Sequence, residues 1–240
     1  HLILEDRELI TGYFFEPNHI DHTYFLFHDS IGIGRMTGCS LNFLLIMEQL
    51  TLSIIEKSKV KVIASSAYGF RVELVEHVGK DDFAQLFELS EELVEVFGPQ
   101  ARLTRSNIHK YFNEKTLPFI ARVNGQIVGY IIGVPLEYFK NESWCHVDVN
   151  LGKENTLYTY AFVVKEKFRR KGGYAKTLKK IYVNWAKKRG FLYISGHVKQ
   201  GISSHFSKDT QIVKTFNNWY GLSTPFEYYR RPLKPAAGRK

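Results

Sequence analysis

Residues 165–173 read Lys-Glu-Lys-Phe-Arg-Arg-Lys-Gly-Gly, so Arg169, Arg170 and Lys171 stand directly before Gly172 and Gly173. The apolar stretch Leu157–Val164 leads in, and an amphipathic stretch from Tyr174 to Arg189 leads out. A glycine-rich turn joining a strand to a helix N-terminus is suited to hold a phosphate. The first amides of a helix have no partner inside it. The helix dipole favours an anion there by about 0.3–1 kcal/mol, and glycine lets the backbone approach without a Cβ. The cationic side chains add full charges, and arginine offers two parallel donors to a phosphate. Gly-Lys-Ser/Thr is absent here, which excludes the nucleotide-hydrolase loop. The full GxGxxG fingerprint of dinucleotide sites is absent as well.

Such a turn needs a buried strand before it and a helix after it. Leu157–Val164 lacks clean alternation, which predicts a strand buried on both faces. Leu178, Ile181, Tyr182 and Trp185 share one helical face, and Gly190 is placed to close a helix from about Tyr174 to Arg189. Upstream, alternation over Phe70–Glu76 predicts a strand. Asp81 and Asp82 read as N-caps of a helix that Gly98-Pro99 ends after Phe97. A shorter helix is expected over Thr104–Phe112. Asn124-Gly125 between Leu117–Val123 and Gln126–Val134 is a hairpin signal. Residues 140–156 read as a polar loop with a strand at Cys145–Val149. Phe191–Val198 reads as a strand, Ser203–Tyr220 as a final helix closed by Gly221, and Phe226–Arg231 as a last strand. The expected class is α/β (α+β): a mixed central sheet flanked by helices.

The chain has 240 residues, 44% hydrophobic and 24% charged, which excludes wholesale disorder. Its net charge of +9 is unevenly spread. Residues 1–100 hold 7 Lys/Arg and 16 Asp/Glu, and residues 101–240 hold 26 and 8. The 25 residues 165–189 alone hold 11 Lys/Arg against Glu166, a net of +10. So local a charge fits one small polyanion better than a nucleic-acid polymer, although a basic nucleic-acid-binding module stays open as an alternative.

The string Arg170-Lys171-Gly172-Gly173-Tyr174-Ala175 after a strand resembles the diagnostic segment of the GCN5-related N-acetyltransferases (GNAT), Arg/Gln-x-x-Gly-x-Gly/Ala opening a helix. Phe216-Asn-Asn-Trp-Tyr-Gly221 stands where that family has its final helix and closing glycine. The resemblance spans about residues 70–233 and includes the order of elements. It implies acetyl-CoA as co-substrate and an amine as acceptor. Backbone groups of Phe162, Val163 and Val164 would hold the pantetheine arm, and the turn Arg170–Ala175 the pyrophosphate. An alternative register with one extra loop residue pairs Arg169 with Gly172, so Arg169 is a further phosphate candidate. The implied chemistry is direct attack of the amine on the thioester, with a base and a proton donor to the leaving thiolate. Many members carry a Tyr four residues before the closing Gly as that donor. Here Asn217 stands at that position, and Tyr220, three residues on and on the same face of the expected helix, is the nearest substitute. His197 and Asp148 are the candidate bases. A CoA-binding fold that uses another acyl group is a further alternative.

The expected division is residues 1–68 as an N-terminal α/β extension, 69–233 as the acetyltransferase domain and 234–240 as a basic tail. The extension is read as a docked segment, with a degenerate half-domain as the alternative. Its Gly-rich turn Gly32–Gly38 reads as a structural loop, and His19, Asp21, His22 and His28 fix no metal spacing, so no metal is expected. The apolar stretch Leu41–Ile55 contains Glu48 and Gln49 and is shorter than the roughly 20 residues of a bilayer span. It reads as a buried or interface helix, which leaves an oligomer open. Glu5, Asp6 and Glu8 are unlike the basic start of a secretory signal. Two cysteines, Cys39 and Cys145, make no disulfide framework. A cytoplasmic protein with free thiols is expected. The sequence starts at His1 rather than Met, so a missing start is expected as well.

Overall fold

A computed structural model describes residues 56–170 and 172–233. The readings placed on residues 1–55, on Lys171 and on the tail lie outside the described residues. One eight-stranded sheet organises the rest: β1 (Lys59–Ser65), β2 (Phe70–His77), β3 (Leu117–Val123), β4 (Gln126–Pro135), β5 (Thr156–Val164), β6 (Tyr193–Lys199), β7 (Gln211–Phe216) and β8 (Phe226–Pro232). Their spatial order is β1-β2-β3-β4-β5-β6-β8-β7. Every neighbouring pair is antiparallel except β5 and β6. The helices are α1 (Lys80–Phe97), the four-residue α2 (Ile108–Tyr111) and α3 (Tyr174–Lys188).

Helices cover both faces. On β4, Tyr130 meets Phe112 beside α2 edge to face at 5.8 Å, while its neighbour Ile131 lines a small cavity under Tyr182 of α3. Adjacent strand residues point to opposite faces, so α2 and α3 lie on opposite sides of β4. The hairpin β3–β4 forms as Asn-Gly demands: Asn124 and Gly125 have φ of 49° and 82°, the two left-handed residues of a type I′ turn. All nine residues of β5 are buried. The irregular alternation of this strand has a local cause. Ile132 pairs with Ala161 and Gly133 with Thr159, so Tyr160 is an extra residue in a bulge. Its ring stacks on Tyr111 at 3.9 Å.

β1, which precedes the expected boundary at residue 68, pairs with β2 from Lys59↔His77 to Ser65↔Arg71. The residues before it reach α1. The Ser58 amide donates to Asp81 (2.9 Å), its hydroxyl donates to Asp82 (2.7 Å), and it accepts the Gly79 amide (2.9 Å). The N-cap position is therefore Gly79, and Asp81 and Asp82 lie inside the first turn instead of capping it. Asp82 serves another purpose. Together with Glu73 of β2 it closes on Arg122 of β3, with both N···O distances at 2.6 Å and all three residues buried.

Three expectations are corrected. The helix over 104–112 shrinks to Ile108–Tyr111, because the Asn107 side chain accepts the Thr104 amide and holds the preceding residues in a turn. The strand at Cys145–Val149 is a 3-10 turn over Cys145–Val147, followed by an Asp148 side chain that accepts the Asn150 amide. The final helix over Ser203–Tyr220 does not exist. A 3-10 turn at Ser203–His205 gives way to β7, which pairs with β8 from Gln211↔Arg230 to Phe216↔Phe226. Ile212, Val213 and Thr215 are β-branched and fit a pleated edge. Phe206, Val213, Phe216 and Tyr220 do stand at near-helical spacing, but the ladder with β8 decides the structure here.

Candidate active site

β5 and β6 are hydrogen-bonded only where Thr156, Leu157 and Tyr158 meet Tyr193, Ile194 and Ser195. Beyond that point β6 turns with β8, while β5 runs on to Val164 with β4 as its only strand partner. The sheet thus opens into a wedge with the β5 edge from Thr159 to Val164 along one wall. Backbone donors and acceptors on such an edge need a partner, and an extended arm of alternating amides would supply one. Phe162, Val163 and Val164 lie on this wall. The Val164 carbonyl is already engaged, since it accepts Arg169 Nε at 2.8 Å.

The wedge leads to the basic turn. Its backbone is left-handed at Arg170 (φ 60°), Gly172 (62°) and Gly173 (65°). A Cβ on Gly172 would meet the Tyr174 ring at 2.5 Å, whereas one on Gly173 would meet nothing within 4 Å among the described residues. Gly173 therefore presents open backbone to solvent at the N-cap of α3. The turn is anchored from below by Tyr174, whose ring lies 4.9 Å from Phe70 and 5.9 Å from Phe168, and by the buried Ala175. Arg170 is exposed and points no carboxylate partner at the turn among the described residues, whereas the Arg169 guanidinium is held by Glu92. Arg170 and Gly173 thus stand at the helix N-terminus, and Arg169 turns inward to Glu92.

At the apex of the wedge stands an aromatic cluster. The Tyr158 hydroxyl lies 3.0 Å from His197 Nδ1. His197 packs on Trp219 (3.7 Å), Trp144 (4.8 Å) and Tyr228 (4.9 Å). Burial holds the His197 pKa well below its ordinary value and raises those of Tyr158 and Tyr228. The imidazole is therefore neutral in the folded protein. Its cost shows on acidification: the unfolded chain takes up this proton near pH 6.5, the folded chain only at lower pH. Stability is full above 6.5 and falls as pH drops below it, with a slope of up to about 1.4 kcal/mol per pH unit from this residue. Urea melts at pH 7.5 and 5.5 are expected to show that loss in the wild type and a smaller one in His197→Asn. Equal losses in both would refute it.

The other candidates are dispersed around the cluster. Asp148 is buried and committed, accepting Tyr228 Oη and Arg230 at 2.6 Å each. Its carboxylate serves as an internal counter-ion to Arg230. Asn217 is exposed beyond the end of β7. Tyr220 has a φ of 53° and donates its hydroxyl to Glu142 at 3.2 Å. It owes its place to the loop after β7 and its T-shaped contact with Trp219, and the shared helix face does not exist. Burial, with Glu142 beside it, pushes its phenol well up, so it keeps its proton. Cys145 is a buried free thiol that burial pushes up to about 12, which removes it as a nucleophile at neutral pH. No group of metal-ligating side chains exists among the described residues. No helix among them is long and apolar enough to cross a membrane. The sequence reading missed Glu92, Trp144, Tyr158 and Tyr228. Only the aromatic density around Tyr158-Thr-Tyr160 and Tyr228-Tyr229 hinted at the last two.

Comparison with solved structures returns acetyltransferases. Arabidopsis thaliana NAA60 in complex with a bisubstrate analogue aligns at 14% identity with a TM-score of 0.50, over 70% of this chain and 99% of that one. The ribosomal-protein-S18-alanine N-acetyltransferase of Escherichia coli aligns at 13% identity and TM-score 0.49, over 71% and 97%. The aminoglycoside 6'-N-acetyltransferase of Enterococcus faecium aligns at 13% and 0.48, over 68% and 98%. At these identities the likeness concerns the fold. A search of curated proteins finds no match. The model of the acetyltransferase (GNAT) family matches residues 83–204, from α1 through the wedge and the basic turn to the 3-10 turn after β6, and the chain belongs to that family.

Proposed function

We propose that the protein transfers the acetyl group of acetyl-CoA to a primary amine by direct attack. The observation that carries this reading is the wedge between β5 and β6 ending at a left-handed, cationic turn on the N-terminus of α3. Pantetheine amides would pair with the free edge of β5. The pyrophosphate would sit on the amides of Gly172 to Ala175, with Arg170 beside it. The amine attacks the thioester carbon, the C–S bond breaks, and CoA leaves as the thiolate. The proton lost by the amine passes to water; burial disfavours the imidazolium, so His197 Nδ1 orients the Tyr158 hydroxyl beside the amine and is not the final proton acceptor. Tyr220, which keeps its phenolic proton, donates to the departing sulfur. No enzyme-bound acyl intermediate is needed.

The test is in two arms. Acetyl-CoA at 100 times its dissociation constant stabilises a binding protein by about 2.7 kcal/mol, so a melting-temperature rise of several degrees is expected. A panel of polyamines, aminoglycosides, amino acids and peptides is then assayed for thiol release, and Tyr220→Phe is expected to slow turnover at least tenfold without altering the thermal shift. No shift at millimolar acetyl-CoA would sink the proposal.

A further inference from the structure

Two links join α1 to the basic turn, and both end on the face of α1 that carries Glu88 and Glu92, one turn apart. Lys165 Nζ reaches Glu88 at 2.7 Å. Glu92 does more: one carboxylate oxygen accepts the Glu166 amide at 3.2 Å, and the other holds the Arg169 guanidinium. Arg169 in turn donates Nε to the Val164 carbonyl. The side chains of Glu92 and Arg169 are only 25% and 19% exposed, so solvent screens this pair less than an ordinary surface pair. By contrast Glu88 is 68% exposed, and its link is worth little.

We propose that Glu92 is a positioning residue for the cofactor turn, an inference that rests on the reading of that turn as the acetyl-CoA site. Val164 ends the strand wall and Glu166 and Arg169 begin the turn. All three are tied, directly or through Arg169, to one carboxylate on a different element. The tie fixes where the chain leaves β5 and the direction in which Arg170, Gly172 and Gly173 present their backbone. It also explains why one arginine of the cationic run faces inward: Arg169 braces the turn, and the amides and Arg170 are left for the ligand.

The sign of the effect separates this role from a simple charge. A carboxylate near a pyrophosphate site repels the ligand, so charge alone predicts tighter binding when Glu92 is removed. Positioning predicts weaker binding. The measurement is calorimetric titration of CoA into the full chain, with melting temperature recorded alongside. Glu92→Ala is expected to weaken CoA about tenfold. Glu92→Asp, which keeps the charge but loses a methylene of reach, should weaken it severalfold. Glu92→Gln keeps one oxygen acceptor, which can hold Arg169, but sets its NH2 against the Glu166 amide, so it should recover the affinity only in part. Glu95→Gln removes the same charge from an exposed position on the next turn of α1 and should change nothing. Should Glu92→Ala fail to fold, the Asp and Gln variants decide. Unchanged or tighter binding by the Ala and Asp variants overturns the positioning role while leaving the acetyl-CoA reading intact. Absence of CoA binding by the wild type overturns both.

Discussion

Gly173→Glu is expected to abolish acetyl-CoA binding and leave the fold standing. Two effects act at one atom. The backbone there is left-handed, with a φ of 65°, a conformation that costs a non-glycine residue roughly 1–2 kcal/mol. The new side chain then projects a carboxylate from the helix N-cap, where the pyrophosphate would lie. Two unit charges 4 Å apart repel by about 4 kcal/mol at an effective dielectric of 20. Even half of that, added to the backbone cost, weakens binding about a hundredfold or more. A Cβ at this position meets nothing within 4 Å among the described residues, so the substitution overpacks none of the described core. The variant should therefore melt within a few degrees of the wild type and show no thermal shift with millimolar acetyl-CoA. Gly173→Ala isolates the backbone effect and should cost about tenfold or less. A shift that persists undiminished in Gly173→Glu would mean that the cofactor binds elsewhere.

The largest expected loss of stability comes from Arg122→Met. Arg122 is the only cation at 2.6 Å from Glu73 and Asp82 among the described residues, and the two carboxylate side chains are 3% and 4% exposed. Removing it leaves the two buried carboxylates with weaker partners, Arg71 at 3.5 Å from Glu73 and the Ser58 hydroxyl on Asp82. Breaking a buried ion pair in this way costs about 3–5 kcal/mol, which for a domain of this size lowers the melting temperature by roughly 6–20 °C. The loss arises from uncompensated charge and much less from missing contacts. The triple variant Arg122→Met, Glu73→Gln, Asp82→Asn should accordingly recover most of it. A urea melt in which the single variant loses less than 1 kcal/mol would show that water or rearrangement already compensates the pair.

How much of this was legible beforehand varies with the origin of the signal. Where a local rule decides, the reading held: Asn124-Gly125 makes the turn, Gly98 and Gly190 end helices, and the strand–turn–helix around Gly173 stands as read. Where long-range pairing decides, it did not. Residues 203–220 carry apolar positions at near-helical spacing, but the open edge of β8 offers Ile212 and Thr215 a ladder, and the ladder wins. Asp81 and Asp82 have the composition of caps, and only the location of Ser58 and Arg122 in space shows what they do. Within the site, the cationic turn and Phe162–Val164 were visible because their chemistry is contiguous in the chain. Glu92 lies 77 residues from Arg169, and the Tyr158–His197 pair spans 39. No spacing rule reaches that far. Tyr220 was singled out on a helix face that does not exist, and its proximity to Trp219 and Glu142 comes from a loop.

The wedge has a mechanical meaning. Strands β1 to β5 form one antiparallel block and β6, β8 and β7 another, and between them the ladder consists of three residue pairs, from Thr156↔Tyr193 to Tyr158↔Ser195. Such a seam is where cooperativity is weakest, since local opening follows the boundaries of contiguous units. Besides that ladder the blocks are joined by side chains, Tyr158 with His197 and Asp148 with Tyr228 and Arg230, which opening of the C-terminal block would have to break. A ligand lodged in the wedge would act as mortar along that seam. On the proposed reading of the wedge as the acetyl-CoA site, its occupancy and the integrity of the C-terminal third of the chain would become one thermodynamic variable, and the ligand-free protein would be the form exposed to proteolysis at β6–β8.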